Sequence, residues 1–184
     1  MLRIFSAGRQ GVKVCAIQLL SLVISPVALW GGWEAARTYG LHPSEGGELA
    51  PLALRLLLGG FLAAIGAGFV VGMWVYGRCY VREAEVDPER GVLRLTLAGF
   101  VMPSRLEVPL QDVGGSREHD GRFRAGGMTV NAPWSTVRLR GRRLPLIVDA
   151  QGEVHDQALV NRYLLGIVPN PRPRRPPGRP RRSR

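Results

Sequence analysis

The chain has 184 residues and a formal net charge of +11, a length that bounds it to one compact domain plus any membrane segments. Two cysteines without neighbouring histidine pairs exclude both a zinc-site pattern and a disulfide framework. All but one of the 25 basic residues are arginine, a bias that genome composition produces as readily as phosphate recognition, so the charge is not read as a nucleic-acid footprint.

Residues 1–13 carry Arg3, Arg9 and Lys13 and no acid. Three readings fit them: the n-region of a secretory signal, a short mitochondrial targeting segment, or the charged flank of a first span. The apolar run Val14–Trp33 is longer than a usual signal core and ends without an A-x-A site, which favours a retained span over a cleaved signal. Pro26 predicts a kink within it. Gln18 is costly in lipid unless it bonds to another helix or reaches the interface, and Trp30 and Trp33 mark the far interface. Residues 34–50 read as an acidic connecting loop with Pro43, Glu45 and the Gly46-Gly47 pair.

The run 51–77, PLALRLLLGGFLAAIGAGFVVGMWVYG, is apolar but for Arg55 and long enough to cross a ~30 Å hydrocarbon core. A chain this short has no soluble core that could bury it on every side. Gly60, Ala64, Gly68 and Gly72 recur every fourth residue, giving one helix face almost no bulk, as close helix packing in membranes requires. Trp74, Tyr76 and Tyr80 form an aromatic anchor where the span ends. Basic flanks at residues 1–13 and at Arg78 and Arg82, against the acidic loop, place both ends on the positive side, cytoplasm or matrix.

From Cys79 the period changes from helix to strand, and residues 78–168 hold 13 Arg against 11 acids. Strands are predicted over CYVREAEV, Val92–Leu97 and RLEVPL, with a turn at Asp87-Pro88-Glu89-Arg90-Gly91. STVRLR and LPLIVDA read as a hairpin about Gly141-Arg142-Arg143, followed by a turn at Asp149–Gly152. Residues 114–131 read as a Gly-rich, non-periodic insertion, a length that marks a binding loop or a floppy one. Asp156 predicts the cap of a closing helix whose Leu159, Val160, Tyr163, Leu164 and Ile167 lie on the sheet. The expected fold is a membrane α-helical hairpin followed by a small antiparallel sheet of about five strands closed by a C-terminal helix. The Pro/Arg tail 169–184 reads as disordered, with either a solvated role or attraction to anionic lipid or RNA.

No nucleophile elbow, P-loop, HExxH or paired-Cys motif is present. Glu118-His119-Asp120 is the densest titratable cluster, but adjacent residues in a flexible loop do not preorganise an acid–base pair. The expectation is a non-enzyme without cofactor.

The order of several stretches carries a resemblance. Gln18 in the first span, the AIGA run Ala64–Ala67 in the second, Leu106–Val113 (LEVPLQDV), Val137–Arg143 (VRLRGRR) and Asp149–Gly152 (DAQG) follow one another as they do in the transmembrane protein 223 family of the mitochondrial inner membrane, which residues 14–165 resemble. The resemblance implies a matrix-facing domain, no catalytic residues, and a role in making cytochrome c oxidase close to mitochondrial translation. Expected partners are therefore oxidase subunits or assembly factors and the mitoribosome. Gly60, Ala64, Gly68, Gly72 and Gln18 would serve helix packing, and Arg138, Arg140, Arg142 and Arg143 would touch the partner. Three other readings share this topology: an accessory subunit of a respiratory complex, a lipid-surface module using the Arg-rich tail, and a bacterial inner-membrane protein with cytoplasmic termini.

Overall fold

The structure, a computed structural model, describes residues 1–42, 46–100, 102–125 and 128–166. Pro43, Glu45, Ile167 and the Pro/Arg tail at 169–184 lie outside them.

The first 13 residues are not a free basic flank. Strand β1 (Leu2–Ser6) runs directly into helix α1 (Gly8–Thr38), helix α2 (Leu52–Cys79) returns, and strand β2 (Val81–Asp87) pairs antiparallel with β1. The helical hairpin is thus an insertion between two paired strands, which puts the N-terminal strand and the rest of the sheet domain at the same end of the hairpin. Ile4 and Phe5 are fully buried while Arg3 meets Glu83 at 2.9 Å on the outer face. The three basic side chains that dominate this segment's composition sit outside; its two core anchors decide its fate.

Both helices are long and apolar enough to cross a membrane, and the chain is a two-span membrane protein. Their charge-free stretches, 20 residues over 14–33 and 22 over 56–77, rise about 30 and 33 Å at 1.5 Å per residue, which matches a bilayer core. α1 extends past the expected span at both ends, taking in Arg9 and Lys13 before it and Glu34 and Arg37 after it, because a helix need not end where the lipid does. Pro26 lies inside α1 as expected.

The seam between the helices is built from small and polar residues. Gly11, Val14, Gln18, Ser21, Ser25 and Gly32 are the buried residues of α1, and Gly59, Gly66 and Gly77 lie on the buried face of α2. From Gly11 to Ser25 the steps alternate three and four, and Ser25–Gly32 and Gly59–Gly66 are each seven, the heptad rule that keeps one stripe of each helix facing its neighbour. A Cβ on Gly32 would stand 2.5 Å from the Gly59 carbonyl oxygen, and one on Gly66 2.8 Å from the Ala28 Cβ. Leu19, Val23, Val27, Leu57, Phe61 and Ile65 point outward and are exposed in the isolated chain, as suits lipid. This is the packing expected where helices gain nothing from burying leucine, since lipid is equally apolar.

Beyond β2 come β3 (Val92–Leu97) and β4 (Ser104–Pro109), which with β10 (Glu153–Val154) complete a five-stranded sheet of order β10-β1-β2-β3-β4. β5 (Val113–His119), β8 (Trp134–Leu139) and β9 (Leu146–Asp149) form a second, three-stranded sheet of order β5-β8-β9. β6 (Arg122–Ala125) and β7 (Met128–Asn131) form a separate hairpin, and β10 (Glu153–Val154) pairs with β1. Every ladder is antiparallel, and a parallel bridge from Tyr80 to Ile147 links the sheets. The described residues therefore hold ten strands rather than about five. The described residues of the stretch 114–131 form most of β5 and the paired strands β6 and β7, not a structureless insertion: its glycines erase side-chain alternation, but the backbone ladder does not need side chains. A bulge between Val113 and Ser116 absorbs Gly114 and Gly115.

On the five-stranded sheet, cross-strand rows alternate as the pleat demands. Ala84, Leu95 and Leu106 share one row and Val86, Leu93 and Val108 another, facing the core, while Glu85, Arg94 and Glu107 form a row on the outer face. Arg94 reaches Glu107 at 2.7 Å and Glu85 at 3.8 Å, exposed pairs worth little to stability. The core closes against Val137, Leu139, Leu146 and Val148 of the second sheet. The C-terminal helix starts where expected: Asp156 accepts a hydrogen bond from Leu159 N at 2.9 Å at the head of α3 (Gln157–Leu159). It then widens into a π-helical turn (Val160–Leu164) that buries Val160 and Leu164.

Candidate functional site

Three features of the chain could do work. The first is the junction where the hairpin meets the sheet. Gln18 is buried in α1, and its amide nitrogen donates to the Gly99 carbonyl at 2.6 Å and the Met73 carbonyl at 3.3 Å. Gly99 N donates to the Gly77 carbonyl at 2.9 Å, and the Ser21 hydroxyl donates to the Gln18 carbonyl at 2.6 Å. One side chain thus ties α1, α2 and the loop after β3 together. Beside the two roles open to Gln18, bonding to another helix or reaching the interface, the structure gives it a longer bond to α2 and a shorter one to the loop after β3. Gly77 has no room for a side chain, since a Cβ there would overlap both the Gly99 oxygen and the Gln18 amide. At the other end of the hairpin, Arg55 donates to the Ala36 and Arg37 carbonyls, both at 3.3 Å, where a cation favours the negative end of α1.

The second feature is the face of α2 that carries Gly60, Ala64, Gly68 and Gly72. It does not pack on α1: a Cβ at Gly60, Gly68 or Gly72 would have nothing within 4 Å, and Ala64 is exposed. Gly60 stands one residue, about 100°, round the helix from Gly59 of the Gly59–Ala63–Gly66 seam that α1 occupies, and Gly68 and Gly72 turn further from it. The four-residue spacing of this stripe is not the register of that seam. The signal that finds it is the heptad register shared by 18, 25 and 32 in one span and 59, 66 and 73 in the other.

The arginines of β8 and its turn divide. Arg138, Arg140 and Arg143 are exposed, whereas Arg142 is half-buried and donates to the Arg78 carbonyl at 2.6 Å, capping the C-terminal end of α2. Arg142 is a structural residue in this fold. Arg78 in turn lies over the Trp74 ring at 4.4 Å, and Arg37 over Trp33 at 5.8 Å, so both hairpin ends present cation–aromatic pairs where the headgroups begin.

The third feature is a pair of adjoining clefts: one of about 290 Å³ between the second sheet, β1, β10 and the C-terminal helix, and one of about 400 Å³ between the end of α2 and the second sheet. Both are lined by Pro133, Trp134 and Asp149; the smaller adds Glu118, His119 and Asp120, the larger Tyr76 and Tyr80. The His119 ring stacks on Trp134 at 4.9 Å and 14°, with Nε2 3.2 Å from the Thr136 hydroxyl. Glu118, His119 and Asp120 thus stand at the end of a regular strand rather than in a flexible loop. The Asp149 carboxylate accepts from the Tyr80 hydroxyl at 3.4 Å and from Gln151 N at 2.8 Å. Burial, and then the Asp149 charge beside it, hold the Tyr80 phenol well above its ordinary value of 10.0. Among the described residues, no group of three His, Cys, Asp or Glu side chains is placed to share a metal ion.

A model described as the TMEM70/TMEM186/TMEM223 protein family matches residues 14–165. No curated protein and no solved structure matches the chain.

Proposed function

The chain belongs to the TMEM70/TMEM186/TMEM223 protein family, and from that membership we propose that it is a non-catalytic protein of the mitochondrial inner membrane. It acts there in the biogenesis of cytochrome c oxidase, close to mitochondrial translation, with its termini and β-domain in the matrix. The observation that carries the reading is the open face of α2. The hairpin satisfies its own seam with Gly59 and Gly66, leaving Gly60, Gly68 and Gly72 with no neighbour among the described residues and Ala64 exposed. A second, unfilled small-residue face has room for the close approach of one more helix, such as a newly inserted oxidase subunit. The basic flanks agree with a matrix-side domain, and the exposed Arg138, Arg140 and Arg143 lie on that domain, where a subunit or the ribosome would meet them.

The test is mild solubilisation, native-gel separation and mass spectrometry of the lanes, with and without Gly68→Leu. Migration with assembly intermediates, lost in Gly68→Leu while membrane insertion persists, is the expected result. Co-purification unchanged by Gly68→Leu removes the helix face from the account. Constant stoichiometry with the finished oxidase would make the chain an accessory subunit instead.

A further inference from the structure

We propose that the cleft bounded by Tyr76, Tyr80, Trp134 and Asp149 is a binding site for a quaternary ammonium, and that its occupant is the choline headgroup of a membrane lipid.

The walls are aromatic. Tyr76 and Tyr80 stand one turn apart at the end of α2, with ring centroids 5.6 Å apart and planes tilted by 34°. Trp134 closes the opposite side, 37% exposed and held in its plane by the stacked His119 ring. Such faces attract a cation through their quadrupole, and a desolvated site strengthens the attraction.

The charge is of the matching sign. The chain carries a net +11, yet among the described residues that line the cleft Asp149 is the only charged one. Its carboxylate is held in place by Tyr80 and by Gln151 N.

The choice of a quaternary over a primary ammonium follows from hydrogen-bond supply. A primary ammonium brings three donors that each need an acceptor. The lining carbonyls of Gly121 and Pro133 each already accept one backbone N–H, from Ala132 and Ala150 at 3.2 and 3.1 Å, which leaves one lone pair apiece. One carboxylate and three π-faces suit a group that has charge but no N–H to satisfy.

The position selects a lipid. Tyr76 is the next-to-last residue of the charge-free stretch of α2, two residues before Arg78, whose guanidinium over Trp74 marks the headgroup level. The cleft volume of about 400 Å³ is ample for a trimethylammonium headgroup.

The test uses the full chain with Trp30, Trp33 and Trp74 each replaced by phenylalanine, so that Trp134 alone reports. It is reconstituted in phosphatidylglycerol nanodiscs containing rising fractions of phosphatidylcholine or phosphatidylethanolamine. A saturable change in Trp134 emission with phosphatidylcholine, and none with phosphatidylethanolamine, is expected. Asp149→Asn and Tyr76→Leu should weaken it about tenfold or more, while Tyr76→Phe, which keeps the ring face, should retain it. Native mass spectrometry of the wild-type chain extracted from mixed lipid gives a second readout that needs no tryptophan replacement: retained choline lipid, lost in Asp149→Asn. Equal response to the two lipids, no saturation, or indifference to Asp149→Asn overturns the proposal. Binding of soluble phosphocholine in choline-free micelles, without any response to the lipid, would overturn the lipid as occupant. Capture of a trimethyl-lysine peptide in place of lipid would do the same.

Discussion

Gly77→Ala is the sharpest perturbation the fold offers. The added Cβ would overlap the Gly99 oxygen and the Gln18 amide, and both atoms belong to the junction itself. Restoring an ordinary contact requires the end of α2 and the loop after β3 to part by roughly 1 Å or more. That separation breaks two bonds at once: Gly99 N to the Gly77 carbonyl at 2.9 Å and Gln18 Nε2 to the Gly99 carbonyl at 2.6 Å. Two buried hydrogen bonds at about 1 kcal/mol each, with overpacking of about 1–3 kcal/mol, give a cost of about 3–5 kcal/mol. Alanine at Gly72 is the internal control: nothing lies within 4 Å of its Cβ, so the change should stay within about 1 kcal/mol and can favour the helix. Unfolding of the full chain in mixed micelles titrated with sodium dodecyl sulfate, followed by circular dichroism, measures both. If Gly77→Ala unfolds within about 1 kcal/mol of Gly72→Ala, Gln18 does not lock the hairpin to the sheet and the reasoning fails.

Other expectations follow from single contacts. Phe5→Ala should destabilise the sheet domain by about 3–5 kcal/mol, whereas Arg3→Ala, which removes only an exposed pair, should cost under about 1 kcal/mol; limited proteolysis of the two variants separates a structural strand from a dispensable leader. Arg55→Leu should leave the sheet intact but speed amide exchange in the last turn of α1, with a local cost of about 0.5–2 kcal/mol. The Tyr80 phenol is held above 10.0 in the folded chain by burial and Asp149. Above that pH the unfolded chain gives up a proton that the folded chain keeps, so stability is full below pH 10 and falls as pH rises beyond it. Tyr80→Phe should flatten that alkaline slope, and denaturation series at pH 8, 10 and 11 would show it.

Much of the fold was legible because its signals are local. Two long apolar runs, the Asp87–Gly91 turn with Gly91 at φ +66°, and the Asp156 cap each act within a few residues. β3 alternates cleanly, so Val92–Leu97 was bounded as a strand by its own pattern. The candidate site was far less legible. Tyr76 and Tyr80 stand out as an interfacial anchor, but nothing in their neighbourhood points to Asp149 or Trp134, more than 50 residues on. The small-residue stripe was visible, yet its direction was not, because a helix with small residues on two faces does not say which one its neighbour will take.

The sequence by itself determined that the chain crosses a membrane twice and that strands and one helix follow, because hydropathy and periodicity are properties of contiguous residues. Only the tertiary structure decided that Leu2–Ser6 is a sheet strand, that α1 lies on Gly59 and Gly66, and that Gln18 reaches Gly99. Those outcomes are set by contacts between residues some 30 to 80 positions apart. A buried Phe5 outweighs an exposed Arg3, and a carbonyl without water outweighs the reach of Gln18 to the interface, but neither competitor is visible until the chain has closed on itself.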